Sequence, residues 1–228
     1  KFPDRPVRIS EYIEGHTLTI NNIVTKDGLV IMGNPSYQIT GIAPFSFQNF
    51  ATIGNDWALG QALSAKGNIK EEIQNISEKI AKRLHQEGWR GLFGLDVIID
   101  EKTNRVYLLE INMRQPASTS FESILQRKAR KTDKNKEAST VTVFELHVLS
   151  LLGKDISQTF SPTPIQDGAQ IILRKSDQNT ITEQDLEQLA TELESMGLNT
   201  VLYEQAKKGA ELLRIQSSRG IMKAHDRF

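Results

Sequence analysis

The residues best suited to chemistry lie in GLFGLDVIIDEKTNRVYLLEINMR, Gly91–Arg114. This stretch predicts a β-hairpin with Asp96 on its first strand and Glu110, Asn112 and Arg114 at the end of its second. Alternate residues of a strand project from one face, so the last three line up as two oxygen donors followed by a guanidinium. Hard divalent cations take carboxylate and amide oxygens, and Mg²⁺ sits between one or two carboxylates and the phosphates of a substrate. A guanidinium one step further along suits an anion that reacts beside the metal. The pattern points to a Mg-nucleotide site. Asp96 shares the face of Glu110 only if an odd number of residues separates the strands. The five residues Glu101–Arg105 satisfy that condition, and a bulge could substitute for it. The bland alternative is a strand-edge acid beside a surface ion pair of Glu110 with Arg114. Glu, Asn and Arg at the end of VYLLEINMR have no packing rationale, which favours the site.

Several elements must hold these residues in place. Val7–Glu14 and Thr17–Thr25 alternate as strands around a Gly15-His16 turn, and Asp27-Gly28 leads into a short strand, Leu29–Met32. Gly33–Asn55 lacks periodicity and reads as a long functional loop, a candidate substrate-selecting wall. Asn68 with Glu71 resembles a capping box, after which Ile69, Ile73, Ile76, Ile80 and Leu84 mark an amphipathic helix ending near Gly88. Ser118–Arg127 reads as a helix, Lys128–Ser139 as an exposed charged connection, and Thr140–Leu152 as a second helix. A tail follows with strands at Ala169–Arg174, Thr200–Tyr203 and Glu211–Gln216 around a helix at Glu183–Met196.

Composition narrows the field. Lys plus Arg and Asp plus Glu both number 28 in 228 residues, so net charge gives no argument for nucleic acid or an acidic membrane. With no cysteine, disulfides and thiolate metal sites are excluded. No apolar run reaches the ~18 residues of a membrane span, and the expected location is the cytoplasm. His16, His85, His147 and His225 are widely spaced and read as surface or structural residues.

EYIEG early in the chain, with GLDVII and LLEINMR later, resembles the ATP-grasp superfamily over roughly Val7–Ser120. The most specific element is E-x-N-x-R at a strand end with an acid on the neighbouring strand. The resemblance implies an α+β fold: the C-terminal lobe of an ATP-grasp enzyme, an antiparallel sheet with flanking helices, over residues 1–152, and a small α/β unit over residues 153–228. It implies Mg²⁺, with Mn²⁺ as a substitute, on Asp96, Glu110 and Asn112, and Arg114 as the catalytic group on the acceptor carboxylate or acyl-phosphate. For ATP it implies backbone groups near Glu11 and Ile13 on the adenine edge, Ser10 reaching the base, and Leu109 against its face. Thr17 stands where many members carry a ribose-binding Glu, and Glu14 is its substitute. Gln115-Pro116 departs from the small Pro-Gly-rich sequence common after the arginine. The family's ATP-binding lysines and Gly-rich flap precede the adenine strand, whereas this sequence starts only a few residues before it, so an upstream segment is expected.

The implied activity is ATP-dependent joining of a small-molecule carboxylate to an amine or thiol through an acyl-phosphate, with neither nucleic acid nor membrane as partner and self-association left open. A grasp-type kinase and a non-catalytic nucleotide-binding or interaction module are the alternatives.

Overall fold

The computed structural model describes residues 9–46, 48–132, 140–156, 160–175, 181–204 and 209–224. The architecture is α+β, built on one antiparallel sheet. Its strands are β1 (Gly15–Val24), β2 (Val30–Met32), β3 (Ser36–Thr40), β4 (Thr52–Asp56), β5 (Gly91–Asp100) and β6 (Val106–Asn112), then β9 (Ala169–Arg174), β10 (Asn199–Leu202) and β11 (Glu211–Ser217). The order is β10-β11-β9-β4-β3-β1-β5-β6, with β2 added to β1. Two short strands, β7 (Thr140–Val141) and β8 (Ser161–Pro162), pair in parallel apart from it. The helices are α1 (Trp57–Ser64), α2 (Ile69–Gln86), α3 (Thr119–Thr132), α4 (Val143–Leu151) and α5 (Glu183–Ser195).

Period-two alternation gives the sheet two unlike faces. Leu18, Ile20, Tyr37, Ile39, Ile53, Leu95, Val97 and Ile99 form the apolar face, covered by Ile69 and Ile73 of α2 with Ile76 and Ile80 beside them. The intervening residues Thr17, Thr19, Ser36, Gln38, Thr40, Asn55, Asp96 and Gln170 form the opposite, polar face. At one end that face is covered by α3 and α4, where Ile23 and Leu92 pack on Val143 and Leu146. α3 is fixed from its other side by Phe121, which meets fully buried Trp57 edge-on at 5.6 Å. The tail extends the same sheet, because β9 pairs with β4, while its own apolar cluster is Leu173, Leu186, Ala190, Leu212 and Leu213.

The stripes found in the sequence become α2, α3, α4 and α5, but the irregular parts differ. Gly33–Asn55 is not a bare loop: β3 and β4 form a hairpin within it, their short runs hidden among Gly, Pro and aromatic residues. Gly15 and His16 continue β1 instead of turning it, and a Cβ on Gly15 would lie 2.0 Å from the Ile99 carbonyl oxygen. Residues 9–14 of the segment expected as a strand form none; Ile9 and Tyr12 are 92% and 74% exposed. Alternation without a ladder partner and a buried side does not hold a strand. Val7 and Arg8 lie outside the described residues. Asn68 makes no capping bond; its side chain donates to Glu72, whose other oxygen accepts from Val106 N. The charged connection begins later than expected, since α3 runs on to Thr132 and Arg130 forks onto Glu145 at 2.9 and 3.0 Å. Residues 133–139 lie outside the described residues. α1 has no counterpart in the sequence reading; Asp56 caps it through Leu59 N.

Truncating a fully buried Phe costs about 3–5 kcal/mol. Phe121→Ala is expected to lose stability on that scale in a denaturant titration followed by tryptophan fluorescence.

Candidate active site

The β5–β6 hairpin brings the four nominated side chains together. Asn112 Nδ2 donates to Asp96 Oδ2 at 3.1 Å, and Arg114 Nη2 donates to Asn112 Oδ1 at 3.1 Å. Asp96 stands directly opposite Glu110, and Asn112 opposite Gly94. The loop does not achieve this by itself. Near the turn the ladder pairs Ile99 with Val106 and Val97 with Leu108, a register that would set Asp96 against Leu109 and send Glu110 to the apolar face. A bulge between Asp96/Val97 and Leu108/Glu110 leaves Leu109 unpaired and restores the polar register.

Two carboxylates opposite one another repel. Burial is the main reason Asp96 holds its proton above the usual carboxylate range, and the charge of Glu110 adds to it. A hydrogen bond from Thr19 Oγ1 at 2.8 Å, the Asn112 amide and the Arg114 charge act in the other direction. Asp96, Glu110 and the amide oxygen of Asn112 are hard donors, and the repulsion between the acids is what a divalent cation relieves, so the set suits Mg²⁺ or Mn²⁺. Among the described residues there is no group of three or more His, Cys, Asp and Glu residues placed to hold a metal. Two acids and one amide leave coordination positions for water and phosphate oxygens, as Mg²⁺ prefers.

These residues line a cleft of about 270 Å³ together with Thr19, Gln38, Asn55, Pro116, Ser118 and Arg174. Next to it on the same polar face lies a cavity of about 1060 Å³, lined by Ser10, Glu11, Ile13, Thr17, Tyr107 and Leu109. Thr17 and Thr19 of β1, Gln38 and Thr40 of β3, and Asp96 and Ile98 of β5 each contribute neighbouring same-face residues to the two sites. Cleft and cavity are therefore one surface. Among the described residues, no hydrogen bond engages the backbone of Glu11 or Ile13. Glu14 does not line the cavity; its carboxylate is 3.7 Å from Lys102 Nζ in the hairpin loop.

The sequence reading missed Thr19, Gln38 and Asn55, which on isolated strands look like ordinary polar alternation. It also missed the tail's contribution. Arg174 at the end of β9 lines the cleft and pairs with Glu211 at 3.5 Å, and Glu211 holds Arg214 at 2.7 Å. Arg214 in turn reaches the Ala117 carbonyl at 3.5 Å. No local signal marks this, because the contact is made by sheet order and curl.

The sequence profile of the ATP-grasp domain matches residues 3–118, half of the chain, and the chain belongs to this family. No curated protein matches it. Among solved structures it is similar to carboxyaminoimidazole ribonucleotide synthase from Aspergillus clavatus with ATP, at 16% identity, covering 92% of this chain and 47% of that one, TM-score 0.61. N5-carboxyaminoimidazole synthase from Aspergillus clavatus with ADP and 5-aminoimidazole ribonucleotide aligns at 16% identity, 92% and 48% coverage, TM-score 0.60. N5-carboxyaminoimidazole synthetase from Staphylococcus aureus with ADP aligns at 13% identity, 90% and 46% coverage, TM-score 0.56. At such identities the likeness is one of fold, and this chain spans about half the length of the structures it matches. No helix among the described residues is long and apolar enough to cross a membrane.

The Asp96 carboxyl titrates higher in the fold than its ordinary 3.8, so ionising it costs stability as pH rises above that value. Asp96→Asn removes the cost. Without divalent cation at neutral pH the variant should melt about 2–4 °C higher than wild type, matching ~1 kcal/mol for directly opposed like charges. The gap should close toward pH 3. Millimolar Mg²⁺ should raise the melting temperature of wild type and leave the variant unmoved, as read by calorimetry.

Proposed function

We propose that this chain is the metal- and acceptor-bearing part of an ATP-dependent ligase that activates a small carboxylic acid as an acyl-phosphate for attack by an amine, with a thiol as the alternative acceptor. One observation carries the reading: Asp96, Asn112 and Arg114 are joined by hydrogen bonds, with Glu110 opposite Asp96, on the face that runs into a nucleotide-sized cavity. The structural relatives solved with ATP, and with ADP and 5-aminoimidazole ribonucleotide, support a nucleotide and a small amine on such a fold.

In this reading the free backbone groups at Glu11 and Ile13, with Ser10, read the adenine edge, and Leu109 covers its face. Thr17 serves the ribose, and Glu14 is left to Lys102. Asp96, Glu110 and Asn112 hold Mg²⁺ or Mn²⁺, whose contribution when bound is to neutralise charge on the β- and γ-phosphate oxygens. Arg114 and Arg174 orient the acid so that its oxygen attacks the γ-phosphorus in line, with ADP leaving. The amine then displaces phosphate from the acyl carbon, and Arg114 steadies the oxyanion of that step. Phosphoryl transfer demands placement and charge neutralisation more than covalent help, and this polar face supplies both. We further propose that residues 1–152 form the nucleotide and metal core, and that residues 153–228 form a supporting unit with its own apolar cluster.

The test is ADP release by the full-length protein over a panel of acids and amines. ADP and phosphate should appear only when both acceptors are present. Glu110→Ala should lower kcat by about 10²–10³, or about 2.7–4 kcal/mol, by analogy with loss of one oxyanion donor. ADP formation that tracks a hydroxyl compound and leaves a stable phosphorylated product would replace the ligase by a kinase. Nucleotide binding without turnover on any pair would replace it by a binding module.

A further inference from the structure

Glu122, in the first turn of α3, is a buried carboxylate that the chemistry above does not use. Its partners are neutral N–H groups: Asn21 Nδ2 at 2.5 Å, Asn34 N at 2.7 Å, and Asn34 Nδ2 and Gln126 Nε2 at 3.3 Å each. Burying an acid without a counter-cation is costly, and burial pushes the Glu122 carboxyl up to about 7 against the pull of the Asn21 and Asn34 hydrogen bonds. What a carboxylate adds is acceptor capacity enough to hold two chain segments at once, β1 through Asn21 and the turn after β2 through Asn34. The turn makes room for it. A Cβ on Gly33 would lie 2.8 Å from Glu122 Oε1.

Asn21 passes the hold on. Its Nδ2 also reaches Ser118 Oγ at 3.1 Å, and its Oδ1 accepts from Ser118 Oγ at 3.3 Å and Thr119 Oγ1 at 3.4 Å. Ser118 closes the stretch Pro116–Ser118, which lines the cleft beginning two residues after Arg114. Two residues before Asn21 on the same face of β1, Thr19 grips Asp96. One strand thus ties both flanks of the cleft, and only the Ser118 flank depends on Glu122.

We infer that Glu122 is a positioning residue for the acceptor side of the cleft: through Asn21 and Ser118 it fixes the wall that follows Arg114, touching neither the nucleotide cavity nor the metal-binding side chains. This rests on the ligase reading for its consequence in turnover, and stands apart from it for its consequence in structure.

The experiment compares wild type, Glu122→Gln and Ser118→Ala in the full-length protein. Gln keeps the volume of Glu but sets an NH₂ among N–H donors, whereas Ser118→Ala cuts only the link from Asn21 to the wall. Hydrogen exchange by mass spectrometry should run about tenfold faster or more in a peptide spanning Arg114–Glu122 in both variants, with β5 and α2 unchanged. In turnover, with the acid that gives most ADP release in wild type, the KM for that acid should rise about tenfold while that for Mg-ATP stays within twofold. If Glu122→Gln loosens the whole fold, Ser118→Ala decides alone. Unchanged exchange at the wall in Ser118→Ala, or a KM for Mg-ATP that rises with that for the acid, overturns the inference. A wild type that releases no ADP with any acid defeats the ligase reading instead, and the exchange measurement still decides the role of Glu122.

Discussion

Everything at the site depends on the register between β5 and β6. A strand offers two faces, and a slip of one residue exchanges them. The turn of this hairpin settles into a register that would bury Glu110 against α2 and expose a leucine in its place. The unpaired Leu109 corrects that within one residue. The same bulge leaves Leu108 and Leu109 partly exposed along the wall of the large cavity. One local irregularity thus sets the acids on the polar face and the leucines along the adjoining cavity.

The rest of the molecule can be understood as support for that face. Because the opposite face is apolar and packed under α2, α1 and Met222, the sheet cannot rotate or slide without exposing its core. The polar face is left to carry side chains that would be intolerable in a core. Asp96 and Glu110 stand opposite each other, and Asp96 is held in an uncomfortable ionisation by burial. Like charges set this close are what a divalent cation would relieve if one bound there.

How much of this the sequence disclosed follows from the range of the forces involved. The isoleucine stripe of α2, the hairpin and the E-x-N-x-R run are periodic or contiguous, and each was legible. The pairing of Asp96 with Glu110 was legible as a condition on parity, but whether loop or bulge would meet it was not, because bulges obey packing beyond the hairpin. The β3–β4 hairpin was lost in a stretch of Gly, Pro and aromatics whose strands, at five residues each, are too short to show alternation. Val7–Glu14 read as an alternating strand, yet residues 9–14 form none, the converse error: pattern records what a partner would accept, not whether a ladder forms. Thr19, Asn55 and Arg174 belong to the site through strand order alone, and no window of sequence contains all three with Asp96.

Strand order also explains why the tail matters to a cleft built on β5 and β6. In a flat sheet β9 and β11 would stand several strands, each about 4.8 Å apart, from β6. Instead Arg214 reaches the Ala117 carbonyl and Arg174 lines the cleft with Arg114, so the twisted sheet curls until its far strands face the segment after β6. Glu211, held between Arg174 and Arg214, keeps two like charges at this closure compatible. The cleft is therefore bounded on one side by a wall hung from Asn21 and on the other by an arginine whose position is set by an acid on a neighbouring strand. The cleft is thus lined by parts of the chain that come together only once the whole sheet has formed, which couples completion of the fold to completion of the cleft.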